Sequence, residues 1–489
     1  MPPISASRLS QKVVVGAVFV SAMFVNILDV TIINVALPAI GKDLGASQAA
    51  LATVAVGYLV SLAVFIPASG WLGDRFGTKR IFLIALALFT GASALCGLAQ
   101  SIDQLVLFRI LQGAGGGMLT PVGMAMMFRV FPPEERVRAS RILMVPTALA
   151  PALGPVLGGL LVDKVSWHWV FYINLPVGVA AFVFGLMFLE EYRNPKAGRF
   201  DLPGFVLSGA GFALLMYALS EGATKGWGSP IILSTGIAGL ILCVAMVFVE
   251  LRVEEPMLHL RLLRDRLFVS TNVVSMVNSA AFLGVLYVFP LMQQQAFGKS
   301  ALETGLLTFP EAFGVVIATQ WVSRLYPVIG PRRLMAGGLL GIGACAALLA
   351  LVDGDTAAVL IVVLMFCTGA SMAHVMIPMQ AAAFARTALA DNGRASTIFN
   401  VQRQLGSALG VALLASVLAG IGTMTTGGGG APSPNLHAYH VAFLVAAALA
   451  VLGAVAALTI RDGDAASTLR KKTEVTPTPT NPSTEPAKV

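Results

Sequence analysis

The chain has 489 residues, 57% of them hydrophobic and only 11% charged, with a net charge of +8 and a mean hydropathy of +0.83. So little charge on so long a chain excludes a soluble globular protein and points to an all-α protein that crosses a membrane many times. The positive balance does not point to nucleic acid, because the cations sit in short segments between apolar runs.

About 20 apolar residues suffice to cross a hydrocarbon core of ~30 Å. Fourteen such spans are expected, near 13–40, 49–70, 80–99, 104–130, 138–162, 168–190, 202–222, 231–251, 267–297, 303–326, 333–352, 356–385, 395–422 and 438–460. The first is too long for a cleaved leader and carries Asp29 and Asn34. Of the 32 Lys and Arg, 26 fall on the side of the segment joining spans 2 and 3; Lys42, Lys164, Lys225 and Lys299 fall on the other side, and Arg109 and Arg403 lie within spans. Cationic loops stay inside, so both termini are expected in the cytoplasm.

The chain also repeats itself. Gly77, Lys79 and Arg80 match Gly330, Arg332 and Arg333 at an offset of 253, and Arg138-Ala139-Ser140 matches Arg394-Ala395-Ser396 at an offset of 256. Two parallel six-helix halves are therefore expected, with spans 7 and 8 inserted between them. The expected division is 1–12, a cytoplasmic N-terminus; 13–190, the first six-helix bundle; 191–266, the inserted pair with linkers; 267–460, the second bundle; and 461–489, a Thr-, Pro- and Ser-rich disordered cytoplasmic tail.

Gly70–Arg80, GWLGDRFGTKR, reads as a tight cytoplasmic reversal built on glycine. Asp74 is the carboxylate in it that needs a partner. Inside the spans ionisable residues are few, and each is a functional candidate because burying it is costly. Asp29 is near the middle of span 1, where loss of water favours the protonated form and suits reversible proton binding. Arg109, in span 4, keeps its charge and needs an anion, for which Asp29 is the candidate. Gly113, Gly115, Gly116 and Gly117 behind it allow close helix approach. In span 5, Gly154, Pro155, Gly158 and Gly159 make a bendable, closely packed element. Glu311 follows Pro310 in span 10 and suits a cationic ligand or a second proton. Asn34, Glu311, His374 and Arg403 are the candidate lining of a substrate cavity. Four cysteines, all within apolar runs, show no metal spacing and predict no disulfide.

The motifs LDVTIINVALP in span 1, GWLGDRFGTKR after span 2, RILQGAGGG in span 4, ALGPVLGG in span 5 and WHWVFYINLPVG entering span 6 together resemble the fourteen-helix drug:proton antiporters of the major facilitator superfamily. The resemblance implies a major facilitator fold and export of hydrophobic, cationic small molecules against proton entry, with no cofactor beyond the proton gradient. It makes Asp29 the coupling carboxylate and Arg109 its cation. Gly73, Asp74, Arg75, Gly77 and Arg80 become a latch between the halves, with Asp74 close to Arg75 and Arg129, and Gly154 and Pro155 set the bending of helix 5. His168 departs from the pattern, standing where an arginine is usual, and Glu311 is private to this chain. A monomer in a bacterial inner membrane is the expected setting, its partners being lipid, protons and a small-molecule substrate. A dedicated exporter of one metabolite, natural product or lipid is the alternative, and a non-transporting sensor a more distant one. No nucleophile–base spacing, metal cluster or nucleotide-binding loop suggests an enzyme.

Overall fold

The computed structural model describes residues 10–46, 48–193, 199–253, 256–388, 391–425 and 433–469. The first half is built from α1 (Gln11–Asp43), α2 (Gln48–Phe76), α3 (Thr78–Cys96), α4 (Ile102–Val130), α5 (Arg136–Lys164), the short α6 (Trp169–Tyr172) and α7 (Asn174–Phe188). The inserted pair is α8 (Leu202–Lys225) and α9 (Pro230–Arg252). The second half comprises α10 (Arg266–Leu291), α11 (Ala301–Thr308), α12 (Pro310–Ile329), α13 (Pro331–Leu349), α14 (Ala358–Ala383), α15 (Asn392–Ile421) and α16 (Leu436–Leu458). A two-residue ribbon pairs Met424–Thr425 with Ser433–Pro434 in the loop before α16; residues 426–432 of that Gly-rich loop lie outside the described ones.

Thirteen stretches among the described residues are long and apolar enough to cross a membrane. Fourteen spans are expected from the sequence; the fourteenth is α5, whose 29 residues rise about 43 Å at 1.5 Å each but whose side chains at 143–147 lie outside the described ones. Two expected spans are broken helices. Span 6 is α6 followed by α7, and span 10 breaks where Pro310, lacking an amide N–H, opens α12.

The two halves pack alike. Within the first, α2 and α3 lie on α4, α1 on α5 and α7, and α3 on α7; within the second, α12 and α13 lie on α14, α10 on α15 and α16, and α13 on α16. Close approach depends on glycine at matching places. A Cβ on Gly113 would meet the Tyr58 carbonyl, and one on Gly369 would meet the Glu311 carbonyl. The halves meet along two seams, α2 and α4 against α15, and α5 against α11, α12 and α14. The inserted helix α8 lies on both α2 and α15, while α9 packs on α8 and turns apolar side chains such as Leu240, Ile241 and Phe248 outward.

The reversal at 70–80 is tighter than expected. Helix α2 runs on to Phe76, and only Gly77, with φ of 103°, leaves the helical region. Gly70 and Gly73 are helical contact surfaces: a Cβ on Gly70 would press on Thr397 and Gly393 of α15. Gly330, with φ of 83°, is the second-half counterpart of Gly77. Both turns carry a carboxylate on the free amides of the next helix. Glu191 accepts from the backbone N–H groups of Lys79 (3.0 Å) and Arg80 (3.2 Å), and Asp462 from that of Arg332 (2.9 Å).

Asp462 also corrects the boundary of the tail. Residues 461–489 are expected to be disordered, yet Asp462–Thr468 form a 3-10 helix. It is held by Thr468 against the Tyr326 hydroxyl (2.6 Å) and by the Ser467 hydroxyl donating to the Ala385 carbonyl (2.9 Å). Its polar composition hides these specific bonds. Residues 470–489 lie outside the described ones.

Glu191→Ala and Asp462→Ala should each lower stability by about 1 kcal/mol, as loss of a helix cap does. Thermal unfolding in detergent checks this, with Glu191→Gln expected to lose less than Glu191→Ala.

Candidate functional site

Asp29 lies on α1 with no solvent exposure, and Arg109 on α4 with 1%. The guanidinium Nη1 donates to Asp29 Oδ2. Oδ1 of Asp29 accepts from Gln112 Nε2 (2.8 Å) and Asn174 Nδ2 (3.0 Å). Arg109 Nη1 also donates to Gln112 Oε1 (2.7 Å), and its guanidinium lies 4.2 Å over the Tyr58 ring, a favourable cation–π arrangement. The Tyr58 hydroxyl donates to Asn26 (3.3 Å), and Asn174 Nδ2 reaches Ser93 Oγ (3.1 Å). Five helices, α1, α2, α3, α4 and α7, thus converge on one buried ion pair.

The sequence singles out Asp29 and Arg109 but not Gln112, Asn174, Tyr58 or Ser93. The signal for Gln112 is its spacing: three residues after Arg109, it shares that residue's helix face. Asn174 opens α7 within the WHWVFYINLPVG motif. The small-residue face of α5 docks on α1 just beyond Asp29. A Cβ on Gly154 would collide with Thr31, and one on Gly158 would press on Ile32 and Val35 (3.1 and 3.2 Å). Gly159, by contrast, faces open space. The side chains of Asn34 and Pro155 lie outside the described ones.

The other candidates are scattered. Glu311, 9% exposed, sits in the first turn of α12 with its backbone against Gly369 of α14. His374 does not face the space between the halves. Its Nδ1 lies 2.8 Å from the Ala370 carbonyl of its own helix and its Cβ lies beside Gly338 of α13, so packing with an internal hydrogen bond accounts for it. Arg403 does face that space. A cavity of about 20 Å³ lies between the halves. Phe19, Met23, Met124, Met376 and Phe399 form its apolar wall; Thr120, Gln380 and Arg403 are its polar groups.

Aromatic rings close this cavity on the side of the 70–80 turn. Phe128 of α4 stacks on Phe384 at 4.4 Å, and Phe384 meets Phe399 at 5.8 Å. Further out, Asp74 is 6% exposed and faces Gly393, where α15 begins. Arg75 and Arg80 are exposed, and Arg129 lies over the Tyr192 ring at 4.7 Å. Asp74 therefore makes no ion pair with Arg75 or Arg129 among the described residues. Its neighbour across the seam is a helix N-terminus, whose free amides favour an anion, with Arg394 and Arg129 close enough to act on it electrostatically. Arg394 Nη1 in turn lies 3.2 Å from His259 Nδ1 in the linker that follows α9.

A buried acid–base pair, a cavity between two like halves and a broken-helix span in each half define a secondary transporter rather than an enzyme. The model for the Major Facilitator Superfamily matches residues 19–411, and the chain belongs to that superfamily. It is 32% identical over 380 residues to a multidrug resistance protein B homolog of Mycobacterium tuberculosis, covering 77% of this chain and 70% of that one. It is 31% identical over 383 residues to multidrug resistance protein 3 of Bacillus subtilis, covering 78% and 75%. With the putative multidrug resistance protein MdtD of Escherichia coli it shares 37% over 314 residues, 63% of this chain and 65% of that one. The human organic anion transporter MFSD10 (TETRAN) has the same fold, with a TM-score of 0.66 at 16% identity over 92% of this chain and all of that one.

Arg109→Met should destabilise the protein by ~3–5 kcal/mol, because it leaves a buried carboxylate without its cation; Asp29→Leu combined with Arg109→Met should recover most of that loss. Thermal unfolding of the two variants and the wild type decides it. A second expectation concerns pH. Burial, and then the Arg394 charge, hold the His259 imidazole below its ordinary value of 6.5. As pH falls, the unfolded chain takes up this proton first, so the contribution of the His259–Arg394 contact is complete above that value and is lost below it. Stability should fall between about pH 7 and about pH 5, and His259→Gln should flatten that part of the profile.

Proposed function

We propose that this chain is a proton-coupled antiporter that exports hydrophobic drug-like molecules, cationic ones included, by alternating access. The observation that carries the reading is the Asp29–Arg109 pair, closed off by Gln112 and Asn174 and set apart from the cavity between the halves. The names of the multidrug resistance relatives support the substrate class.

In this reading the ionised Asp29 accepts from three donors, Arg109, Gln112 and Asn174. Protonation removes that charge and leaves Arg109 with Gln112 and the Tyr58 ring alone. Helices α1, α4 and α7 then lose the contact that draws them together. Helix α1 is fastened to α5 at Gly154 and Gly158, and α5 lines the seam with α11, α12 and α14, so a change at Asp29 reaches the second half through two packed helices. Proton and substrate need not touch. Each favours a different arrangement of the halves, which is a coupling free energy between states.

The remaining parts follow from this. The bundles at 13–190 and 267–460 rock about the cavity, while the segment 191–266 rides with them. Gly73, Asp74, Arg75, Gly77 and Arg80 form the cytoplasmic latch, with Asp74 acting on the start of α15. The aromatic layer of Phe128, Phe384 and Phe399 parts to admit substrate from inside. Glu311 receives cationic substrates. The protein works as a monomer in the bacterial inner membrane with both termini in the cytoplasm, driven by the proton gradient and needing no cofactor.

In proteoliposomes, addition of a hydrophobic drug should release protons from wild-type protein, and Asp29→Asn should abolish that release by at least ~100-fold while drug binding persists. Proton release that survives Asp29→Asn refutes the assignment. Glu311→Gln should weaken lipophilic cations selectively, by about tenfold, as expected for a lost charge-assisted contact.

A further inference from the structure

Two arginines lie deep within the spans, and the fold treats them differently. Arg109 is answered by Asp29, Gln112 and the Tyr58 ring. Arg403, about eleven residues or 16 Å into α15 from its cytoplasmic end, has one long contact, Nη2 to Asn400 Oδ1 at 3.5 Å. It is part-buried, and among the described residues no carboxylate pairs with it. A guanidinium keeps its proton and donates five N–H groups in a rigid fork. Leaving it unpaired in a low-dielectric cavity is costly unless something else supplies the anion.

A second group in the same cavity is also without a partner. Gln380, 6% exposed, lines it from α14, and its Oε1, an acceptor, is buried with no hydrogen bond, so it calls for an N–H or O–H donor on the guest. The neighbouring Thr120 hydroxyl already donates to Met23 Sδ at 3.3 Å. The rest of the wall is soft and apolar, from Met124, Met376 and Phe399. The cavity of about 20 Å³ has room for roughly one water. A larger guest enters as the halves part and the methionines yield, as flexible thioethers do.

We propose that Arg403 is an anion-accepting subsite on the substrate path, which takes the carboxylate or equivalent acidic group of a hydrophobic molecule whose apolar part lies against Phe399 and the methionines, with Gln380 beside it to accept from an N–H or O–H of the same guest. The proposal rests on the exporter reading and extends it: organic acids and amphoteric compounds join the cations assigned to Glu311. Arg403 forks onto the two carboxylate oxygens, and Gln380 Oε1 accepts from a donor elsewhere on the guest.

The test uses the full-length protein in lipid nanodiscs and three probes of one shape: 1-naphthaleneacetate, its neutral primary amide, and 2-(1-naphthyl)ethylamine. Binding is followed by calorimetry. Wild-type protein should bind the acid about tenfold or more tightly than the amide, the size of one charge-assisted contact. Arg403→Gln should bring the two to near equality, Arg403→Lys should keep part of the preference, and Arg403→Glu should shift preference to the amine. Amide binding that is retained in Arg403→Gln shows that variant to be folded. Equal binding of acid and amide by the wild type, or an acid preference that survives Arg403→Gln, overturns the subsite. Proton release in proteoliposomes separates this from the parent reading. If the amide drives release through Asp29 but the acid is not preferred, the subsite is wrong and the export reading stands. If the acid binds through Arg403 and neither compound moves protons, the reverse holds.

Discussion

A charge carried into the middle of a bilayer must bring its own solvation, and the first half of this protein is arranged around meeting that demand at Asp29 and Arg109. The pair alone would leave lone pairs and N–H groups unanswered. Gln112, Asn174 and the face of Tyr58 supply what water would have supplied. To bring those groups within reach, α4 must lie almost backbone to backbone against its neighbours. This is why its glycines meet main-chain atoms: Gly113 and Gly117 face carbonyls of α2, and Gly115 faces α3. The glycine run and the buried charge are one device.

The second half keeps the frame but not the ion pair. Gly113 and Gly369 make the same close approach, each to a backbone carbonyl of the matching helix. Yet Met365 stands at the place matching Arg109, and Glu311 at the place matching Tyr58. Duplicated architecture thus carries unlike chemistry in its two halves. Arg403 of the second half has no carboxylate partner among the described residues.

Much of this was legible in the residues. Span positions follow from apolar run length, and Asp29, Arg109 and Arg403 stand out because ionisable groups are so rare inside the runs. What could not be read was direction and partnership. A neutral amide such as Gln112 or Asn174 carries no charge signal, and its value lies in where it points. Gly70 and Gly73 suggest a loop by composition, but both are helical, Gly70 against α15 and Gly73 against Thr78 and Val122. Glu191 and Asp462 sit in polar stretches that read as linker and tail, and only the fold reveals that each closes a helix start. His374 is the converse case: an ionisable residue inside a span whose ring is satisfied by its own helix.

The inserted hairpin gives the molecule a lopsided girth. Helix α8 lies across α2 of one half and α15 of the other, with Trp71 near Phe200 at one end and Trp227 donating to Ser416 at the other (4.8 and 2.7 Å). One of the two junctions between the lobes is therefore walled off from the acyl chains, while its counterpart beside α5 has no such cover among the described residues. The molecule's flank is therefore unequal on its two sides, a handedness that the internal duplication alone would not have produced.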